Sequence, residues 1–153
     1  MIIVTCSVFT NAFCFRSTLR ATCFSSDNTA VMSVSLDSVK IWNRANAQCI
    51  RTMSCNKATS CVFAPGDRHV VVATESGSLL LFNIAAGVLL ETTQAHSDKI
   101  VSVCLAPDKV RMILANFSFQ GRDGTAFNIV CLNFRKVFGP PVWTSWSNIG
   151  LSN

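Results

Sequence analysis

The sequence predicts an all-β chain built from repeated four-stranded units, and three observations carry that prediction. Asp37-Ser38-Val39-Lys40-Ile41-Trp42-Asn43 is matched in form by Gly77-Ser78-Leu79-Leu80-Leu81-Phe82-Asn83, a turn followed by a short strand ending in an aromatic and an asparagine. Short alternating runs and turn residues recur at offsets near 40, the period of repeated blades (Phe24 to Phe63 is 39, Trp42 to Phe82 is 40, Ile50 to Leu90 is 40). Phe, Val and Thr are plentiful, and half the residues are apolar with 14% charged, a composition that can build a sheet-based core. About two four-stranded blades plus part of a third are expected. The pattern divides the chain into residues 1–15 outside the repeats, a repeat region over 16–110 with units near 19–53 and 59–93 and a partial third from 99, and a divergent tail over 111–153.

Residues 1–15 are apolar and uncharged. They resemble the hydrophobic part of a secretory signal, but they lack a basic leader and are too short to span a bilayer, so a strand fits them as well. The first unit begins after Arg16. Leu19–Phe24 alternates like a half-buried strand, and Ser25-Ser26-Asp27-Asn28 supplies a turn. Ala30–Ser35 reads as the second strand, Val39–Trp42 as the third and Gln48–Met53 as the fourth. The second unit repeats this order: Thr59–Phe63, a turn at Ala64-Pro65-Gly66-Asp67, His69–Thr74, Leu79–Phe82 and Val88–Thr93. The apolar run from Leu79 to Leu90 is about 12 residues long and carries Asn83 and Gly87, which suits two strands joined by a turn and not a membrane helix.

A third unit starts at Ile100–Leu105 with the turn Ala106-Pro107-Asp108. Beyond Val110 the aromatic-asparagine signature is not found. The tail predicts a hairpin instead, Met112–Phe119 and Thr125–Phe134 about the turn Gly121-Arg122-Asp123-Gly124. Pro140-Pro141 and the Trp143/Trp146 pair have no repeat character, and Asn116-Phe117-Ser118 spells a glycosylation sequon.

The blade endings Trp42-Asn43 and Phe82-Asn83 resemble the Trp-Asp dipeptides of the WD-repeat family. Phe24-Ser25-Ser26-Asp27-Asn28, Ser38–Arg44, Gln48–Met53, Pro65-Gly66-Asp67-Arg68 and Leu89-Leu90-Glu91-Thr92 are similar to a branch of that family. Its members are tandem-propeller subunits associated with U3 small nucleolar RNA in the small-subunit processome. The resemblance covers roughly residues 16–110. It implies an incomplete WD40-type β-propeller and a non-enzymatic scaffold in ribosome biogenesis and small-subunit rRNA maturation. It further implies a nucleolar or nuclear location, protein subunits of a large ribonucleoprotein assembly as partners, indirect contact with U3 or pre-ribosomal RNA, and no membrane. It carries over no catalytic residue, cofactor or metal. The structural signature it marks is Trp42, Asn43, Phe82, Asn83 and His96; the family's Gly-His pair appears here as Ala95-His96, and its partner aspartate is missing.

Chemistry read from the residues alone agrees with a binding role. The net charge of +5 comes without a basic run long enough for a nucleic-acid patch. The eight cysteines contain no Cys-x-x-Cys pair, and Cys23, Cys61 and Cys104 fall in strand-like runs, which predicts small buried thiols in a reduced compartment. His69 and His96 lie far from any paired cysteines, so a zinc site is not expected. His96-Ser97-Asp98 places triad residue types side by side, yet adjacency in sequence does not give triad geometry; His96 is expected to anchor a blade loop. Trp42 and Phe82 are expected to pack the blade core, not to stack on bases. The rim residues expected at turns are Asp27, Asn28, Arg44, Asn46, Asp67, Arg68, Glu75, Asp98 and Lys99. The alternative reading is a small secreted or membrane-associated β protein that uses the apolar N-terminus and paired cysteines.

Overall fold

A computed structural model describes residues 18–119 and 125–138. The apolar segment 1–15, the turn Gly121–Gly124, Pro140-Pro141 and the Trp143/Trp146 pair lie outside the described residues. Among the described residues eleven strands and one helical turn follow in order: β1 Leu19–Phe24, β2 Ala30–Ser35, β3 Ser38–Asn43, β4 Cys49–Ser54, β5 Ala58–Phe63, β6 His69–Thr74, β7 Ser78–Asn83, β8 Val88–Gln94, β9 Ile100–Leu105, β10 Arg111–Phe119, β11 Thr125–Asn133 and α1 Phe134–Val137.

The strands form three antiparallel sheets. β1-β2-β3-β4 and β5-β6-β7-β8 are four-stranded meanders, and β9-β10-β11 is a three-stranded one. Sequential antiparallel strands need only short turns, which the Asp-, Asn- and Gly-containing segments between them supply. The second sheet is sandwiched. One of its faces packs Cys61, Phe63, Val70, Val72 and Phe82 against Met32, Val34, Val39 and Ile41 of the first sheet. The other packs Val71, Ala73, Leu79 and Leu81 against Ile100, Val103, Met112 and Leu114 of the third, with Phe134 and Phe138 of the α1 region closing that core. This burial on both faces explains why β6 reads as the unbroken apolar run Val70–Ala73 where a half-solvated strand would alternate. The architecture is an incomplete β-propeller.

Irregularities repeat along with the strands. Arg20, Thr59 and Val101 are each an unmatched extra residue in the first strand of a sheet. Ile50 and Leu90 are the same in the fourth strands of the first two. A bulge raises the local twist; Ile50 and Leu90 are exposed, as are Val88 and Leu89 on the same strand as Leu90.

The third sheet continues past residue 110, where the sequence pattern was lost. In the first two sheets the second strand begins opposite the closing asparagine: Ala30 faces Asn43, and His69 faces Asn83. Arg111 faces Asn133 in the same way, and Met112 faces Leu132 as Val31 faces Trp42 and Val70 faces Phe82. A backbone bond fixes the equivalence, from Arg44 N–H to Thr29 C=O at 2.9 Å, Ile84 to Arg68 at 3.0 Å and Phe134 to Val110 at 2.9 Å. Leu132-Asn133 is therefore the third repeat's signature dipeptide, which the sequence reading missed. It arrives 50 residues after Asn83 instead of 40: β10 and β11, with nine residues each where β6 and β7 have six, add six, and the β8–β9 and β10–β11 connections, each two residues longer than their counterparts, add the other four.

Candidate interaction rims

The signature residues close the third strand of each blade and start its last turn. Trp42 is 6% exposed and donates its indole N–H to Ser33 Oγ at 2.7 Å, while Lys40 Nζ stands 5.9 Å from its ring. Phe82 is buried in the core between the first two sheets. Both rings are packing elements with no face free for a base. Asn43 Oδ1 accepts the Ala45 N–H at 2.8 Å, and Asn83 Oδ1 accepts the Ala86 N–H at 3.0 Å. Each asparagine folds the backbone back on itself by an Asx-type turn. The αL positions that complete these turns are Ala47 and Gly87. Arg51 then ties the two blades at this rim, donating from Nε to Ile84 C=O and from Nη2 to Ala85 C=O.

The first-to-second-strand turns form a second set. Asn28, Asp67 and Lys109 all have φ between 55° and 59°, and each turn is closed by the same pair of backbone bonds: Ser25 to Ala30 and Asn28 to Ser25, Ala64 to His69 and Asp67 to Ala64, Ala106 to Arg111 and Lys109 to Ala106. In the first and third of these turns a carboxylate holds its own loop. Asp27 accepts from Ser25 and Thr29, and its pKa is lowered chiefly by the Ser25 hydroxyl. Asp108 accepts the Val110 and Arg111 N–H groups and the Arg111 guanidinium, which bring it down to about 2. The second turn has Gly66 at that position, and the carboxylate one residue later, on Asp67, crosses to the neighbouring blade. Asp67 Oδ2 accepts both the backbone N–H and the hydroxyl of Ser26, at 2.9 and 2.5 Å.

On the opposite rim the chain passes from β8 to β9 through His96. The Ala95 and His96 N–H groups donate to Gly77 C=O at 3.1 and 3.0 Å, and Gln94 Nε2 bridges Ser76 C=O and His96 C=O. His96 Nδ1 accepts the Asp98 N–H at 2.9 Å, and Asn116 Nδ2 of β10 lies 3.1 Å from both ring nitrogens. The histidine thus joins the second blade's turn to the third blade's second strand. Asn116, the residue that opens the glycosylation spelling, is 1% exposed and turned toward this ring. Ser97 Oγ bonds Asp98 Oδ2, so these three residue types are engaged in a turn. Lys99 and Glu75 pair at 2.9 Å across the same seam, and that hydrogen bond is what lowers the Glu75 pKa.

The remaining candidates are placed simply. Arg44 donates to Asn28 C=O, Asn46 holds the turn through Gln48, and Arg68 is exposed. His69 is 7% exposed at the start of β6, and its pKa is lowered by burial and then by the Arg68 charge. The six described cysteines are free thiols. Burial pushes Cys61 well above the ordinary thiol range and Cys55 up to about 11. Among the described residues no group of three His, Cys, Asp or Glu side chains is placed to hold a metal ion, and no helix is long and apolar enough to cross a membrane.

No protein-family model matches the chain. WD repeat-containing protein 3 of Homo sapiens is 52% identical to it over 94 residues, 61% of this chain and 10% of that protein. Over this stretch the chain is similar to part of a protein named for its WD repeats. The WD repeat-containing protein 3 homolog of Dictyostelium discoideum is 37% identical over 93 residues, and U3 small nucleolar RNA-associated protein 12 of Saccharomyces cerevisiae is 38% identical over 99. The chain spans 10% of the length of each of these curated relatives. Two features of the repeats escaped the sequence reading. The Ser26–Asp67 pair was invisible because either residue alone is an ordinary turn residue. The partner of His96 is an asparagine on β10, so a search for an aspartate in its usual place did not find it.

Proposed function

We propose that this WD-repeat region is a non-enzymatic scaffold for protein–protein contacts in ribosome biogenesis, within the small-subunit processome that matures small-subunit rRNA. The single observation that carries the reading is the 38% identity over 99 residues to a yeast protein whose name places it with U3 small nucleolar RNA. The rims fit it. Their polar side chains are committed to holding turns and joining blades, which leaves shaped, rigid loop surfaces of the kind that protein partners meet. The proposed location is the nucleolus, the proposed partners are other protein subunits of that assembly, and contact with U3 or pre-ribosomal RNA is through them. The two aromatic signature residues, being buried, offer no stacking platform.

Expression of the tagged chain in cells, followed by immunoprecipitation and probing for U3 RNA, tests the proposal. Enrichment of U3 together with nucleolar staining is expected. Recovery at the level of an unrelated control, with staining outside the nucleolus, rejects it.

A further inference from the structure

We infer that the apolar segment 1–15 docks on the open face of the first sheet, the face that a complete propeller covers with a preceding blade. Met32, Val34, Val39 and Ile41 face the second sheet. Side chains alternate along a strand, so Val31, Ser33, Lys40 and Trp42 stand on the opposite, open face. Phe24 joins them there, paired with Val31 as Val31 is with Trp42. The row of Phe24, Val31 and Trp42 answers Phe63, Val70 and Phe82 of the second sheet, which are buried against the first. Val31 and Trp42 belong to neither of the two cores, and among the described residues no sheet packs on their side.

Their burial is nonetheless close to complete. Trp42 is 6% exposed, Val31 8% and Ser33 5%, whereas Phe24 on the same row keeps 44%. Ser33 meets the indole only at its nitrogen, and one Lys40 ammonium 5.9 Å from the ring centroid is too small to cover an indole. The cover over β2 and β3 is therefore chain beyond the described residues, and three stretches compete for it. Residues 120–124 are tied at both ends to β10 and β11, two sheet spacings or about 20 Å away. Residues 139–153 leave from Phe138, which is fixed in the core between the second and third sheets, and five of these fifteen residues are apolar. Residues 1–15 are uncharged, eleven of the fifteen are apolar, and three residues join them to Leu19 of the first sheet itself. A surface that removes an indole and a valine from water selects the apolar, adjacent segment. The first sheet is thereby buried on both faces, as the second is. An apolar run held there is withdrawn from any membrane, and its docking does not depend on the processome proposal.

Two measurements on the full 153-residue chain test this. A photo-reactive benzoylphenylalanine replaces Lys40, two strands away from the point where the segment joins the sheet. After irradiation, trypsin releases Met1–Arg16 whole, because Arg16 is the first basic residue. A cross-link from the peptide Ala21–Arg44 to Met1–Arg16 within one chain is expected. A cross-link to residues 137–153 in its place, a cross-linked dimer, or no product with Met1–Arg16 overturns the inference. In the second measurement Trp143→Phe/Trp146→Phe leaves Trp42 as the sole tryptophan, read by acrylamide quenching. Val4→Asp/Val8→Asp, which puts two charges into the apolar segment, should raise the quenching of Trp42 severalfold. Ile149→Asp/Leu151→Asp in the tail should leave it unchanged. Unaltered quenching in Val4→Asp/Val8→Asp, or a rise with the tail variant alone, also overturns the inference; the cross-link decides by itself should Val4→Asp/Val8→Asp not fold.

Discussion

Ser26 and Asp67, 41 residues apart, are joined by two hydrogen bonds that hold the first-to-second-strand turn of the first blade to that of the second. Because both bonds end on one carboxylate oxygen, their contributions are coupled. Ser26→Ala is expected to lower stability in urea by about 1 kcal/mol. In a double-mutant cycle with Asp67→Asn the two losses should not add, whereas Ser26→Ala and the distant Asn133→Ala should.

Gly77 and Gly87 separate a steric requirement from a conformational one. Both have positive φ, but a Cβ on Gly77 would stand 2.1 Å from the His96 carbonyl oxygen, and one on Gly87 would find nothing closer than Arg51 Cδ at 3.6 Å. Gly87→Ala is therefore expected to cost about 1 kcal/mol of backbone strain. Gly77→Ala must push the His96 segment away and should cost more than about 3 kcal/mol, read as a lost or broadened melting transition.

The indole of Trp42 combines packing with a hydrogen bond to Ser33, and the second blade fills the equivalent place with Phe82. Trp42→Phe should accordingly retain the fold at a cost of about 1 kcal/mol, the value of the lost bond. Trp42→Ala should cost about 3–5 kcal/mol through the cavity it leaves. Chemical denaturation of the two variants distinguishes these effects.

His69 gives the stability a pH dependence of known sign. Its folded pKa lies below the ordinary value of 6.5, from burial first and the Arg68 charge second. The unfolded chain thus binds the proton more readily, and the contribution is complete above pH 6.5 and lost as pH falls through the lower folded value. The urea midpoint should decline as pH drops from 6.5 toward the lower folded value and level off beneath it, and His69→Leu should flatten this slope. A midpoint that rises on acidification over the same window contradicts the assignment.

Thiol reactivity should sort by position. Cys49, Cys104 and Cys131 are exposed, whereas Cys61 lies in the core with its ionisation suppressed by burial. Titration of the native chain with a disulfide reagent is expected to modify the exposed three quickly and Cys61 only on unfolding. In denaturant without reductant all eight cysteines of the chain should titrate; a shortfall would favour the secreted alternative with paired cysteines.

Most of the strand order was legible because alternation and turn residues report it directly. Leu19–Phe24, Ala30–Ser35, His69–Thr74 and Ile100–Leu105 have the same bounds in the sequence reading and in the structure. What was lost depends on distance. Leu132-Asn133 was missed because the period stretched from 40 residues to 50, and a leucine in the aromatic's place carries no signal of its own. The bulges at Arg20, Thr59 and Val101 were missed for a different reason: an extra residue changes the register against a partner strand, and that partner is not visible in a local window. The rims were legible as turns, but which turn reaches across to which is decided by the carboxylate standing one position later in the second turn, on Asp67 after Gly66, where it meets Ser26, and a local window does not show that neighbour.

The longer hairpin of the third blade has a consequence for how such chains vary. Pairing is fixed at the base, where Arg111 meets Asn133, and three further residues in each strand make the ladder about 10 Å longer at the far end. Growth at the tip leaves the base in phase, so side chains near it keep their inward or outward sense however long the ribbon becomes. A blade can therefore lengthen like a zip extended at its open end. Sequence periodicity is the first property erased by such growth, and the pairing at the base is the last.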